Sequence, residues 1–205
     1  MRNVPVVAKG ESFVFGQNLE DVAEFVGLQG TGHTPLPPDV LVGKWVNVLR
    51  AAQRLVRQIP DDKMGERVIP NRDRAIRLLT HHVFRIGEAF LETVIEGVDY
   101  AVQHANKPPA EGTYTQGPQV AEYGGQVISR IEAWWAQLAD KSGTQMLPTY
   151  YGPQPLHQVL ERSTWHSAQH SRQLAAVLER YDIQPDGALT PQDLAGLPLP
   201  ERLWE

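Results

Sequence analysis

The sequence predicts a mainly α protein, a four-helix bundle preceded by a small N-terminal β-hairpin and short helix. Three observations carry that reading. Four stretches, 39–59, 71–104, 118–138 and 155–181, repeat apolar residues at helical spacing. Turn-forming residues, proline and glycine above all, separate them. Each has an apolar stripe that only the other three can cover, and a bundle is the simplest solution.

Taken in order, Val4–Val7 and Ser12–Phe15 read as two short strands with Gly10 in the turn between them. Asn18 suits the cap of a short helix carrying Leu19, Val22, Ala23, Phe25 and Val26. The chain is then rich in Gly, Pro and Thr as far as Pro38, which reads as a linker. The first long helix carries Leu41, Trp45, Val48, Leu49, Ala52, Leu55 and Val56, and Pro60 stops it because proline cannot extend the ladder. Asn71 is a suitable N-cap for the second, whose apolar face includes Ile76, Leu79, Val83, Ile86 and Phe90. Val120, Val127, Ile128, Ile131 and Trp135 mark the third, and Leu156, Leu160, Leu174, Val177 and Leu178 the fourth. The expected organisation is an extension over 1–28, a linker over 29–37, the bundle over 38–181 and a tail over 182–205. The tail, rich in proline and polar residues, reads as extended chain or a short turn.

The 205 residues suffice for one domain with its own core, and 41% apolar with 21% charged residues is ordinary for a soluble globular protein. A net charge of −5 without a run of Lys or Arg argues against nucleic acid or an anionic membrane surface as partner. With no cysteine, disulfides, thiolate metal sites and a cysteine nucleophile are excluded, so any reactive thiol must come from a small molecule. Neither a basic-then-apolar leader nor a membrane-length apolar run is visible, and the expectation is a cytoplasmic protein.

Seven histidines remain to be placed, and two of them, His166 and His170, form His-x-x-x-His in the fourth helix. Residues four apart lie nearly above one another on a helix, so both imidazoles can reach one ion. Leu174 and Leu178 continue the same stripe, so His170 points toward the core, where it needs either a metal or a buried hydrogen bond. On the second helix, His82 lies four residues after Leu78 and four before Ile86, on the inward stripe. His81 shares its face with Arg77 and Arg85 and reads as solvated or supporting. Phase therefore selects His82, His166 and His170 as candidate metal ligands, and three ligands with an open position suit catalysis. His33, His104 and His157 read as solvated, as do Glu88, Glu92, Glu132 and Asp140. Trp134, Trp135 and Trp165 read as core and cavity wall. His-Glu-x-x-His, Gly-x-Ser-x-Gly and the glycine-rich nucleotide loops are all absent.

Leu-Leu-Thr-His-His-Val on the second helix and Thr-Trp-His-Ser-Ala-Gln-His-Ser-Arg-Gln-Leu on the fourth resemble the DinB-like superfamily over roughly residues 38–181. That superfamily includes bacillithiol transferases and mycothiol-dependent maleylpyruvate isomerase. The resemblance implies an up-down-down-up four-helix bundle and one divalent metal ion at His82, His166 and His170. Zinc is the first expectation, with nickel and iron also found in the family. Its ergothioneine-forming branch has a glutamate two residues after the last motif histidine. Arg172 stands there in this chain, a departure from that branch. A second resemblance is local: Val4-Pro5-Val6-Val7, Phe15-Gly16-Gln17 and Phe25-Val26-Gly27-Leu28 are similar to the last third of a glutaredoxin, where the proline is cis beside the glutathione site. The bulk of that fold and its redox cysteine are missing.

The resulting expectation is a metal-dependent transferase or isomerase that uses a low-molecular-weight thiol on a small-molecule substrate, with a homodimer admitted. Metal-dependent hydrolysis and a non-catalytic, stress-related metal-binding protein are the alternatives. The catalytic base, the thiol and the electrophile are not legible in the sequence.

Overall fold

The computed structural model describes residues 6–16, 19–29, 32–68 and 73–204. The chain divides into two compact units, Met1–Pro35 and Leu36–Glu205. In the first, β1 (Val6–Lys9) pairs antiparallel with β2 (Ser12–Phe15), Val6 opposite Phe15 and Lys9 opposite Ser12. Gly10 turns the hairpin at φ +64, a left-handed conformation that glycine adopts without a Cβ clash. Helix α1 (Leu19–Val26) follows. Val4, Pro5, Gln17 and Asn18, which entered the strand, capping and glutaredoxin readings, lie outside the described residues.

The second unit is the helical bundle. Its elements are α2 (Pro38–Val56), α3 (Ile76–Glu96), the short α4 (Val102–Ala105), α5 (Gly117–Gln137), a two-residue strand pair β3 (Met146–Leu147) and β4 (Gln154–Pro155), α6 (Leu156–Arg180) and α7 (Pro191–Leu194). Helices α2 and α3 each pack mainly against α5 and α6, so α2 lies diagonally across the bundle from α3. Pro38 opens α2, where its fixed φ is already helical and its missing N–H costs nothing. A capping box between Gln116 and Gln119 opens α5.

The second long helix is shorter than its predicted span of 71–104. Asn71 lies outside the described residues, and α3 opens at Ile76 after extended Ala75. It ends at Gly97, which turns left-handed at φ +70 and donates its N–H to the Glu92 and Thr93 carbonyls. Residues 98–101 are non-helical before α4 begins. The apolar pattern continued past Gly97, but the backbone did not.

The core is filled by Trp45, Phe84, Phe90 and aliphatic residues of the four long helices. Phe90 meets Trp45 and Trp134 edge-on, both at 5.1 Å between centroids. Each such ring contributes about 1.5–3 kcal/mol by burial. Helices α3 and α5 approach closely at Gly124: a methyl carbon placed there would lie 2.5 Å from the Phe84 ring. Trp135 and Trp165 are half-buried at the core's edge. The tail is more ordered than an extended segment requires. Thr190 and Asp193 cap α7 reciprocally, and Lys44 on α2 donates to the carbonyls of Gln192 and Asp193.

Candidate metal centre

Helical phase put His82 on the inward stripe of α3, and that is where the side chain lies, 3% exposed. His166 and His170 face it from α6, His170 buried and His166 half-buried. The three rings form a triangle with centroid separations of 4.8 Å (His82–His170), 4.8 Å (His166–His170) and 5.4 Å (His82–His166). One nitrogen from each lies within 4.8 Å of the others. Nitrogens bound at ~2.0–2.1 Å to one tetrahedral ion stand about 3.4 Å apart. An ion would therefore draw this triangle together by small side-chain shifts.

The surroundings fit an imidazole-bound ion. Burial, followed by the charges of His170 and Arg74, holds the His82 pKa well below its ordinary value, so a neutral ring is presented. The backbone of Ala105, at the end of α4, acts on the His82 ring in the opposite direction and raises its pKa, but by less than burial and the neighbouring charges lower it. His170 donates Nδ1–H to Gln173 Oε1 at 2.7 Å, so its Nε2 is the atom offered to an ion. A metal-bound histidine is oriented by this kind of bond from its other nitrogen. Sequence reasoning did not single out Ala105 or Gln173. Gln173 sits three residues from His170, a spacing that brings two helical side chains together, and that signal was available.

His81 departs from the solvated reading. It is 6% exposed and stacks on Tyr123 of α5, with centroids 5.1 Å apart and planes at 9°. Burial lowers its pKa to about 4. The face it shares with Arg85 is covered by α5 and by Tyr114 from the preceding loop. Charge on the helix surface alone could not show that.

Arg85 is buried too. It donates Nε–H to the His104 carbonyl, one NH group to Glu88 and Glu92, and the other to Glu92. Tyr123 donates its hydroxyl to Glu88 at 2.7 Å. Glu88 and Glu92 are thus partners of a buried guanidinium rather than members of a solvated face. A cleft of about 870 Å³ opens above this network, lined by His81, Arg85, Glu88, Lys107, Tyr114 and Tyr123, and His82, His166 and His170 do not line it.

The remaining residues lie apart from the histidine triangle. Glu132 pairs with Arg50 on the surface. Asp140 accepts from Ser142 N–H in a turn. His157 is partly buried, with Nε2 2.6 Å from the Leu36 carbonyl, and His104 Nδ1 lies 3.2 Å from the Asp99 carbonyl. Among the described residues, no carboxylate joins the three histidines in the cluster.

No family model matches the chain, and no curated protein does. Among solved structures, a DinB-like protein from Bacillus cereus ATCC 10987 matches it with a TM-score of 0.58 at 15% identity. The match covers 73% of this chain and 95% of that one. The architecture of this chain is therefore that of a DinB-like helical bundle, with a three-histidine cluster that could hold a metal ion.

Proposed function

We propose that the chain is a metal-dependent DinB-like enzyme, a transferase or isomerase joining a low-molecular-weight thiol to chemistry on an electrophilic small molecule. Its divalent ion would be held by His82, His166 and His170, with zinc the first candidate. The observation that carries the proposal is the convergence of three histidines from α3 and α6, with no carboxylate among the described residues of the cluster. Uncharged ligands leave the ion its full charge. Bound there, it would supply Lewis acidity and lower the pKa of a thiol or water at an open position.

The chain's own residues prepare that position. Gln173 fixes the orientation of the His170 ring. The Arg74 guanidinium, close enough to His82 to lower its pKa, adds positive potential that favours an anionic sulfur. The chain has no cysteine, so the thiol is a separate molecule such as glutathione, bacillithiol or mycothiol. Among the described residues no helix is long and apolar enough to cross a membrane.

The test is turnover of a haloaromatic model electrophile by metal-replete protein, with and without added glutathione and with and without chelator. The expected result is a rate that requires thiol and disappears on chelation. Equal rates without thiol would transfer the proposal to hydrolysis. Stoichiometric metal with no turnover of any electrophile would favour a non-catalytic metal-binding protein.

A further inference from the structure

Residues 200–204 lie along the face of α6 that carries the histidines. The Leu203 carbonyl accepts from two buried amides, Gln169 Nε2 at 2.7 Å and Gln173 Nε2 at 2.8 Å. Gln169 Nε2 also reaches the Arg202 carbonyl at 3.1 Å. Arg172 donates to Gln169 Oε1 at 2.8 Å and to the Pro200 carbonyl at 3.2 Å. Trp204, half-buried against the core, anchors the segment beyond Leu203.

The polarity of these bonds matters more than their number. A backbone carbonyl can only accept, so Leu203 requires the NH₂ end of Gln173 to face it. That leaves Oε1 of the same amide facing His170 Nδ1, where it can only accept in turn. Nδ1 must then carry the ring proton, and Nε2 keeps its lone pair. If the amide flipped, it would set oxygen against the Leu203 carbonyl and a donor against the Nδ1 proton. The peptide carbonyl of residue 203 thus dictates, through one side chain, which nitrogen of His170 is offered to an ion.

We propose that residues 200–204 act as a positioning strap for the metal centre, with Gln173 as the positioning residue that transmits strap docking to His170. The inference rests on the metal reading above and adds a coupling to it: docking of the strap and binding of the ion strengthen each other. Such coupling is reciprocal by thermodynamic necessity. Arg172 belongs to this arrangement, since its bonds to Gln169 and Pro200 tie the strap to the helix.

The test is calorimetric Zn²⁺ titration of the full chain and three variants. It is joined by the visible spectrum of the Co²⁺ form and by hydrogen exchange of amides 201–204 with and without Zn²⁺. Gln173→Leu, which keeps the side chain's bulk and removes the amide, is expected to weaken Zn²⁺ binding ~10–100-fold and alter the Co²⁺ spectrum. Gln173→Glu keeps an acceptor for Nδ1–H and loses the donor to Leu203. It should hold Zn²⁺ within a few-fold of the unmodified chain, while Zn²⁺ no longer slows exchange in the strap. Gln169→Leu touches the strap and not His170. It should weaken Zn²⁺ binding several-fold in the unmodified background and have no effect in the Gln173→Glu background. A pure folding defect would not produce that non-additivity. Unchanged affinity in Gln173→Leu, or strap exchange indifferent to Zn²⁺ in the unmodified chain, would overturn the strap and leave the metal site standing. Failure of the unmodified chain to bind any divalent ion would overturn both.

Discussion

Trp45 on α2 donates its indole N–H to Ser167 Oγ at 3.0 Å, one residue along α6 from His166. The same hydroxyl lies 3.4 Å from the carbonyl of Val83, the residue after His82. One buried oxygen thereby joins three helices at the level of the histidine triangle. Ser167→Ala would leave a buried indole N–H without its acceptor, a loss of about 1–3 kcal/mol. The expected result is a lower urea midpoint at unchanged m-value. No change in midpoint would show that the indole finds another acceptor.

The adjacent histidines of α3 should behave differently. His82→Ala removes a proposed ligand and should lower Zn²⁺ affinity severely, as should His166→Ala and His170→Ala. His81→Ala should retain one ion per chain, because His81 stacks on Tyr123 away from the triangle. Neighbours on a helix differ by about 100°, which keeps both side chains from serving one ion. Calorimetric titration of the four variants checks this, and abolished binding in His81→Ala alone would refute the phase assignment.

Close approach of α3 and α5 predicts intolerance at Gly124. An alanine there would place Cβ 2.5 Å from the Phe84 ring, which is fully buried and cannot swing aside. Overpacking of this kind costs typically about 1–3 kcal/mol. Thermal unfolding of Gly124→Ala should show a lower midpoint despite alanine's higher helix propensity. Phe84→Leu should recover part of the loss by opening space.

Glu88 should make stability sensitive to acid. Burial opposes its charge, but hydrogen bonds from Tyr123 and Arg85 outweigh burial and hold its pKa below the ordinary glutamate value. Because the folded value lies under the unfolded one, its contribution is complete above the unfolded pKa. It is lost as pH falls through the folded value. Glu88→Gln should therefore be less stable than the unmodified chain at neutral pH, and the difference should shrink on acidification below pH ~4.5. Melting temperatures of both proteins measured across pH 3–7 decide it, and a constant difference would argue against the ionised carboxylate.

Much of this molecule was legible in its sequence because helical periodicity is local. Apolar spacing located α2, α5 and α6 to within a few residues, and phase alone separated His82 from His81. The end of α3 was missed because the apolar pattern runs past Gly97, whereas a single left-handed residue ends the hydrogen-bond ladder there. What covers a charged helix face depends on distant segments. Arg85, Glu88 and Glu92 read as solvent-facing, but the His104 carbonyl meets Arg85, Tyr123 of α5 meets Glu88, and Arg85 itself holds both carboxylates. The sequence by itself determined that three imidazoles from two helices point inward, since their spacing sets the direction of each side chain. Only the tertiary structure decided which helices pair, which ring nitrogens are occupied, and that the Leu203 carbonyl reaches back to Gln173, because those contacts join residues far apart in the chain.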